Sequence, residues 1–308
     1  MQTRTIGSLR VSVVGLGCNN FGGRIDEAAT RAVVHAALDA GITLFDTADI
    51  YGKTRSEEFL GRALGSRRKD IVLATKFGVA LEKWPAGASP AYIRTAVEGS
   101  LRRLNTDRID LYQLHQPDPK TPIADTLGAL NELVRAGKVR EIGCSNFTVP
   151  QLDEARDAVQ PGAARFVSVQ NEYSLLHREP ESGVLAECRR QNLAFIPYFP
   201  LASGLLTGKY RRGEPVPDGT RLSTSPRAKD VLTDRNFDTV EALEAYATSR
   251  GYTLLDLAIS WLLAREPVAS VIAGATKPEQ VKANVAAARW TLGEAELAEV
   301  DAILHQRA

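Results

Sequence analysis

Short apolar runs alternate with longer amphipathic stretches eight times along this chain of 308 residues. Runs this short and mostly apolar are typical of strands that are covered on both faces of a parallel sheet. Eight strand–helix repeats predict a closed (β/α)8 or TIM barrel of the α/β class. The predicted strands are 11–16, 43–45, 71–74, 110–114, 139–143, 166–169, 193–196 and 271–273.

Two segments lie outside this repeat. Residues 3–10 predict a β-hairpin before the first strand, and residues 200–234, with four glycines and four prolines, predict a long loop after the seventh. An open, doubly wound sheet is the alternative architecture. It is disfavoured because residues 15–20 (GLGCNN) have asparagine where a G-x-G-x-x-G motif has its third glycine. We therefore expect one barrel domain over residues 1–308.

The helical patterns have recognisable ends. Gly41 follows the first of them as a stop, Ser89-Pro90 opens the third, and Glu57 and Glu58 suit the first turn of the second, which starts near Ser56. The first and third patterns cover 26–40 and 90–104, and further patterns cover 121–136, 148–158, 180–190, 237–250, 254–264 and 278–288.

Composition excludes several classes of function. Lys plus Arg is 38 and Asp plus Glu is 37, so the net charge of +1 gives no general attraction to nucleic acid or to an anionic membrane. The three cysteines, Cys18, Cys144 and Cys188, form neither a disulfide framework nor a zinc motif. The N-terminus lacks the apolar core of a signal peptide, and no apolar run reaches ~18 residues. We expect a cytoplasmic protein without a metal, either a monomer or a small homo-oligomer.

Polar residues follow six consecutive predicted strands. The carboxyl ends of the strands of such a barrel meet at one mouth, where active sites lie, so these side chains are expected to converge. They are Asp46, Lys76, His115, Ser145 with Asn146, Gln170 and Tyr198.

An acid–base set of this kind suits proton transfer to a carbonyl oxygen. A free tyrosine has a pKa of about 10 and is a weak acid at neutral pH. A buried lysine beside the phenol lowers that pKa, and an aspartate keeps the lysine charged. Tyr51, five residues after Asp46, can reach the same mouth from its loop, and His115 can orient a carbonyl there.

These motifs resemble the aldo-keto reductase superfamily in order and over nearly the whole chain. The resemblance implies a (β/α)8 barrel that binds NADP(H) in extended form and reduces aldehydes or ketones. It is carried by residues 45–52 (FDTADIYG), 74–76 (ATK), 110–115 (DLYQLH), 143–147 (GCSNF), 169–173 (VQNEY), 197–201 (PYFPL) and 272–276 (IAGAT).

The resemblance also implies a role for each matching residue. Tyr51 corresponds to the general acid, Lys76 and Asp46 to the pair that tunes its pKa, and His115 to the residue that orients the substrate. Ser145, Asn146 and Gln170 correspond to the residues that hydrogen-bond the nicotinamide carboxamide. Tyr198 corresponds to the aromatic residue that stacks on the nicotinamide ring. Leu201, Ser203, Gly204, Leu206 and Lys209 correspond to the segment that binds the diphosphate. Apart from the resemblance, Arg221 in the same long loop is a further candidate for contact with a phosphate. The adenosine site corresponds to Gly274, Thr276, Lys277, Gln280 and Asn284.

One position departs from the family pattern. Many members have arginine where this chain has Gln280, and that arginine contacts the 2′-phosphate or the adenine. Glutamine supplies no charge, although Lys277 or Arg221 can. NADPH is therefore the expected cofactor, with NADH left open. Phe21 and Trp84 are expected to line the pocket of a small carbonyl substrate, although both residue types also serve as packing residues.

Other classes of function are compatible with parts of the pattern. The first alternative is a nicotinamide-binding regulatory or sensor subunit that resembles the β subunits of potassium channels. A Schiff-base aldolase with Lys76 as nucleophile is a further possibility, but it leaves the cofactor motifs unexplained.

Overall fold

The computed structural model describes residues 1–80 and 87–306. The chain begins with an antiparallel hairpin of β1 (Thr3–Ile6) and β2 (Leu9–Ser12). Eight parallel strands then follow within the described residues. They are β3 (Val14–Gly17), β4 (Leu44–Asp46), β5 (Val72–Phe77), β6 (Ile109–Leu114), β7 (Val139–Ser145), β8 (Phe166–Gln170), β9 (Ala194–Phe195) and β10 (Val271–Gly274).

The parallel sheet curls into a barrel. Neighbouring strands follow the chain order from β3 to β9, and β10 returns to pair with β3. Backbone bonds at Phe195 join the two remaining edges: its N–H donates to the carbonyl of Pro267 at 3.0 Å, and its carbonyl accepts from the N–H of Ala269 at 2.9 Å. The predicted (β/α)8 fold, with its hairpin and its long loop after the seventh strand, is confirmed.

Helices cover the outer face of the sheet. Two begin with side-chain caps that were not predicted, since Asp26 accepts a hydrogen bond from the N–H of Ala29, and Ser89 from that of Tyr92. The helices are α1 (Glu27–Asp39), α2 (Arg55–Leu64), α3 (Pro90–Leu104), α4 (Ile123–Arg135), α5 (Val149–Asp157), α6 (Val184–Gln191), α7 (Ala228–Val231), α8 (Asp234–Ser249), α9 (Leu254–Leu263), α10 (Pro278–Ala286) and α11 (Glu294–Gln306). Within the described residues, no helix is both long and apolar enough to span a membrane.

Several boundaries differ from the sequence prediction. The predicted strand 11–16 is divided at Val13, because the Ser12 hydroxyl donates to the carbonyl of Val14 and its N–H donates to the hydroxyl of Thr43. The predicted helix 180–190 is interrupted at Gly183, where a short 3-10 turn precedes α6. Helices α7 and α11 are not predicted by the helical patterns. The long loop also contains a 3-10 segment, Ala202–Thr207.

The N-terminal hairpin closes the barrel at the amino ends of its strands. Ile6, Leu9 and Val11 form one apolar cluster with side chains from inside the barrel, among them Leu44 and Leu111. The hairpin leaves the opposite end of the barrel, where the strands finish, free to form a site.

Replacing Ile6 by alanine tests this closure. Ile6 is fully buried, so Ile6→Ala removes apolar contacts and leaves a cavity. We expect the free energy of unfolding to fall by about 2–5 kcal/mol, as measured by urea denaturation. Thr5→Ala, on the exposed side of the same strand, is the matched control and should change it by less than about 0.5 kcal/mol. Equal losses for the two variants would contradict the proposed closure.

Candidate active site

Polar side chains from six neighbouring strands meet at the carboxyl end of the barrel. Those of five strands line a cavity of about 670 Å³ that extends from the barrel mouth to the start of α10, and Lys76 of β5 is not among the lining residues. The predicted residues on its inner part are Asp46, Tyr51, His115, Ser145, Asn146, Gln170 and Tyr198.

A buried ion pair lies beneath this cavity. The Lys76 ammonium donates to Asp46 Oδ2 at 2.6 Å and to the carbonyl of Thr47 at 2.9 Å, and both charged side chains are almost wholly buried. Burial disfavours the charged ammonium, but Asp46 and Tyr51 outweigh it, so the pKa of Lys76 lies above its ordinary value. Lys76 is therefore a fixed positive charge at the floor of the site.

Two glutamines hold the other oxygen of Asp46. The amide groups of Gln113 and Gln170 donate to Asp46 Oδ1 at 3.2 and 3.0 Å. Gln113 was not among the predicted site residues, although it lies on the barrel strand two positions before His115 and pairs in register with Lys76. Alternation along β6, which places Gln113 on the inner face with Leu111, is the signal that could have identified it.

Tyr51 lies directly above the ion pair. The Nζ atom of Lys76 lies 5.2 Å from the centre of its phenol ring. Burial raises the pKa of Tyr51, and the nearby positive charge of Lys76 opposes that rise without cancelling it. The expected lowering by Lys76 is present, but burial is the larger effect, so the phenol is protonated at neutral pH.

A glycine allows the Tyr51 loop to approach the neighbouring loop closely. Gly52 has φ of +57°, and a Cβ there would lie 2.4 Å from the carbonyl oxygen of Phe21. Phe21 itself is fully buried in the core and is not among the residues that line the cavity. The structure thus gives Phe21 a packing position, in contrast to the predicted pocket wall.

His115 meets Tyr51 edge to face, with ring centres 5.8 Å apart. Burial, reinforced by the positive charge of Lys76, lowers the pKa of His115 to about 3. Its Nδ1 atom is buried and finds no hydrogen-bond partner in the part of the chain that the structure describes. The imidazole is therefore neutral at physiological pH and can donate only one N–H.

A chain of amide and hydroxyl groups forms the wall beside Gln170. The Ser145 hydroxyl donates to the Gln170 carbonyl at 2.6 Å, and Asn146 donates from Nδ2 to the His115 carbonyl at 2.9 Å. The Tyr198 hydroxyl in turn donates to Asn146 Oδ1 at 2.8 Å. This network fixes the amide of Asn146, which lies at a φ of +62°.

Most of the other residues predicted to bind the cofactor line the outer part of the cavity. Leu206 is an exception: it is fully buried in the core and is not among the lining residues. Trp84 lies outside the described residues. The predicted residues that do line this part are Leu201, Ser203, Gly204, Lys209, Arg221, Gly274, Thr276, Lys277, Gln280 and Asn284.

Three cations gather in the middle of the cavity. Lys209 and Arg221 were predicted, whereas Arg24, which also lines the cavity, was not. Burial and the neighbouring positive charges lower the pKa of both Lys209 and Arg221. Two asparagine side chains, Asn19 and Asn20, accept hydrogen bonds from Arg221 at 2.9 and 2.8 Å. Because these cations repel one another, a bound anion would stabilise the arrangement.

Gln280 is already engaged at the far end of the cavity. Its Oε1 accepts hydrogen bonds from the backbone N–H and the hydroxyl of Thr276, at 2.7 and 3.1 Å. It thereby fixes the turn that precedes α10. Lys277, at the N-cap of α10, also lines the cavity.

Comparison with known proteins agrees with this geometry. Residues 13–305 match the profile of the Aldo/keto reductase family. The chain is 36% identical to the aldo-keto reductase yakc [NADP(+)] of Schizosaccharomyces pombe, over 97% of this chain and 90% of the relative. It is 37% identical to the aldo-keto reductase YhdN of Bacillus subtilis, over 96% and 91%.

Solved structures give the same result. The glycerol dehydrogenase AKR11B4 of Gluconobacter oxydans superimposes with a TM-score of 0.87 at 34% identity, over 99% of this chain and 96% of that one. The holo form of the aldo-keto reductase AKR11C1 of Bacillus halodurans gives 0.82 at 34% identity, over 98% and 96%. The chain belongs to the aldo/keto reductase family, a family of oxidoreductases.

The neutral state of His115 has a measurable consequence for stability. The unfolded chain binds a proton at this residue below pH about 6.5, whereas the folded protein does so only near pH 3. Stability from this group is therefore complete above pH 6.5 and falls by roughly 1.4 kcal/mol per pH unit below it.

Urea denaturation at pH 7.5 and 5.5 tests this effect. We expect the wild type to lose more stability than His115→Gln between these two values, because glutamine cannot titrate. An equal loss in both proteins would mean that His115 is readily protonated in the folded state.

Proposed function

We propose that this protein reduces aldehydes or ketones to alcohols with NADPH, and that Tyr51 is its general acid. The observation that carries this proposal is the buried, protonated Tyr51 phenol beside Lys76, which the Asp46 carboxylate keeps charged. A phenol held against a fixed positive charge can release its proton to a carbonyl oxygen, because the charge stabilises the phenolate that remains.

The cavity has donors suited to a nicotinamide dinucleotide. Such a cofactor, when bound, supplies the hydride for carbonyl reduction. The amide network can hold a carboxamide, and the three cations suit a diphosphate, whose negative charge would relieve their mutual repulsion. The residues proposed to hold it are Ser145, Asn146, Gln170 and Tyr198 at the nicotinamide, Arg24, Lys209 and Arg221 at the diphosphate, and Lys277, Gln280 and Asn284 at the adenosine.

His115 is proposed to orient the substrate. A neutral imidazole beside the Tyr51 ring can donate one hydrogen bond to the same carbonyl oxygen without adding charge to the site. Tyr51 then delivers the proton from its hydroxyl to that oxygen. The role of His115 is thus positional, and that of Tyr51 is chemical.

The names of the relatives support this choice of cofactor and reaction. The Schizosaccharomyces pombe relative is named for NADP(+), and one structural neighbour is a glycerol dehydrogenase. A dehydrogenase interconverts an alcohol and a carbonyl compound, and so does the proposed reaction.

Tryptophan fluorescence during titration with NADPH or NADH, followed by nicotinamide absorbance after addition of 4-nitrobenzaldehyde, tests the proposal directly. Binding with oxidation of NADPH is the expected result. Binding without turnover across a panel of aldehydes and ketones would instead favour the sensor function. Absence of binding would contradict the cofactor site.

Replacing Tyr51 tests the identity of the acid. Tyr51→Phe keeps the ring but removes the proton, so we expect kcat to fall about 10²–10⁴-fold with little change in the Kd of NADPH. Tyr246→Phe, on the outer helix α8, is the matched control and should retain kcat. Full activity of Tyr51→Phe would exclude Tyr51 as the acid.

Replacing Lys277 tests the choice between cofactors. Lys277 lines the end of the cavity proposed for the adenosine, whose 2′-phosphate distinguishes NADPH from NADH. Loss of a charged contact should weaken NADPH binding roughly tenfold in Lys277→Ala, with a smaller effect on NADH. Lys282→Ala, exposed on the same helix, controls for nonspecific charge effects. Equal weakening of both cofactors in Lys277→Ala would show that Lys277 does not contact the 2′-phosphate.

A further inference from the structure

A second buried polar cluster lies behind the proposed catalytic pair. Side chains alternate along β5, so Lys76 points into the barrel while the adjacent Thr75 points outward, toward the helices. Tyr112, which pairs in register with Thr75, points outward as well. Asp49 and Glu57 join them from the segment that carries Tyr51 and from α2.

Glu57 is held firmly in this cluster. It is fully buried, and its Oε1 accepts a hydrogen bond from the Thr75 hydroxyl at 2.6 Å. Its Oε2 accepts one from Arg103 Nε at 2.7 Å, which joins α2 to α3. Its position is therefore fixed from two sides.

The carboxyl group of Asp49 has fewer hydrogen bonds than that of Glu57. Asp49 is only 1% exposed, and among the described residues its Oδ1 has no hydrogen-bond partner; the hydroxyl of Tyr112 is likewise buried without one there. The Asp49 backbone N–H donates to the carbonyl of Lys76 at 3.1 Å, and Asp49 lies two residues before Tyr51. Ionising a buried oxygen with no donor is costly, so the neutral carboxyl suits this site.

The net effect of burial and the neighbouring charges also favours the neutral form of Asp49. Burial and then the negative charge of Glu57 raise the pKa of Asp49 to about 7, against smaller opposing effects of Arg103, the Ile50 backbone and Lys76. The remaining titratable neighbours are phenols: burial and Asp49 raise the pKa of Tyr92 on α3 to about 12, and that of Tyr112 well above its ordinary value.

We propose that Asp49 is a positioning residue for Tyr51 and Lys76, and that release of its proton to solvent displaces the segment 47–52 from β5. The neutral carboxyl fits beside Glu57, whereas two buried carboxylates repel each other. The direct backbone bond to Lys76 carries this change to the ion pair, and the short chain segment carries it to Tyr51. The catalytic consequence of this inference rests on the proposed function.

The pH profile of kcat in the wild type and in Asp49→Asn tests the proposal. A group with a pKa of about 7 is about nine-tenths protonated at pH 6 and about one-tenth at pH 8, so the wild type should lose kcat about tenfold between them. Asp49→Asn is nearly isosteric and cannot ionise, so it should lack this fall. A fall near pH 7 that persists in Asp49→Asn would overturn the proposal.

Two further variants separate this effect from a general structural one. Glu57→Gln removes both the charge that raises the Asp49 pKa and the repulsion that displaces the segment, so the fall in kcat near pH 7 should become smaller and move to lower pH. Asp256→Asn changes another buried aspartate, in the capping box of α9, and should leave the fall near pH 7. If Glu57→Gln leaves the profile in place, the cluster does not control it.

Hydrogen exchange provides a readout that does not need activity. After correction for the intrinsic pH dependence, peptides covering residues 47–57 should exchange faster at pH 8 than at pH 6 in the wild type, but not in Asp49→Asn. Unchanged exchange in the wild type would overturn the positioning role. If exchange responds as expected while no carbonyl compound is reduced, the proposed function fails and the positioning role stands.

Thermal or urea unfolding provides a third comparison. The raised pKa of Asp49 means that the folded protein resists its ionisation, so wild-type stability from this group is present at low pH and is lost as pH rises from about 4 to 7. Asp49→Asn should therefore gain stability relative to the wild type between pH 5 and 8. No relative gain would contradict the burial of an ionisable Asp49 carboxyl.

Discussion

A single buried carboxylate organises the carboxyl end of this barrel. Asp46 accepts hydrogen bonds from Lys76, Gln113 and Gln170, so one side chain ties together β4, β5, β6 and β8. Breaking a buried ion pair by removing one partner typically costs about 3–5 kcal/mol. The two glutamines reduce the tendency of Asp46 to rotate away from Lys76. The positive charge beneath Tyr51 therefore has a fixed place before any ligand arrives.

Much of this arrangement could be predicted from the sequence, because strand burial and strand ends leave strong patterns. Eight short apolar runs indicated the barrel, and polar residues at their ends indicated a common mouth. The resemblance to a family added what periodicity could not: Tyr51 lies in a loop, and the motif around it is what suggested a specific role for it. The same resemblance assigned Leu206, whose side chain lies in the core.

Other features depend on tertiary contacts that no local pattern specifies. Gln113 has its importance only because Asp46 lies across the barrel from it. The pKa of Tyr51 depends on a balance between burial and the charge of Lys76, and the sequence indicates the charge but not the extent of burial. Helix α11 has buried Val300 and Leu304 but few other apolar anchors, so its pattern is weak. Val13 separates two strands that read as one apolar run.

The hairpin at the amino ends of the strands has a practical consequence. Gln2 bonds to Val13 just before β3, so the first residues emerge on the side of the molecule opposite the cleft. A linker attached to the half-exposed Met1 could anchor the protein to a bead or an electrode with its cleft turned toward the solution. Molecules of the size of a dinucleotide would then enter the immobilised protein without crossing the support.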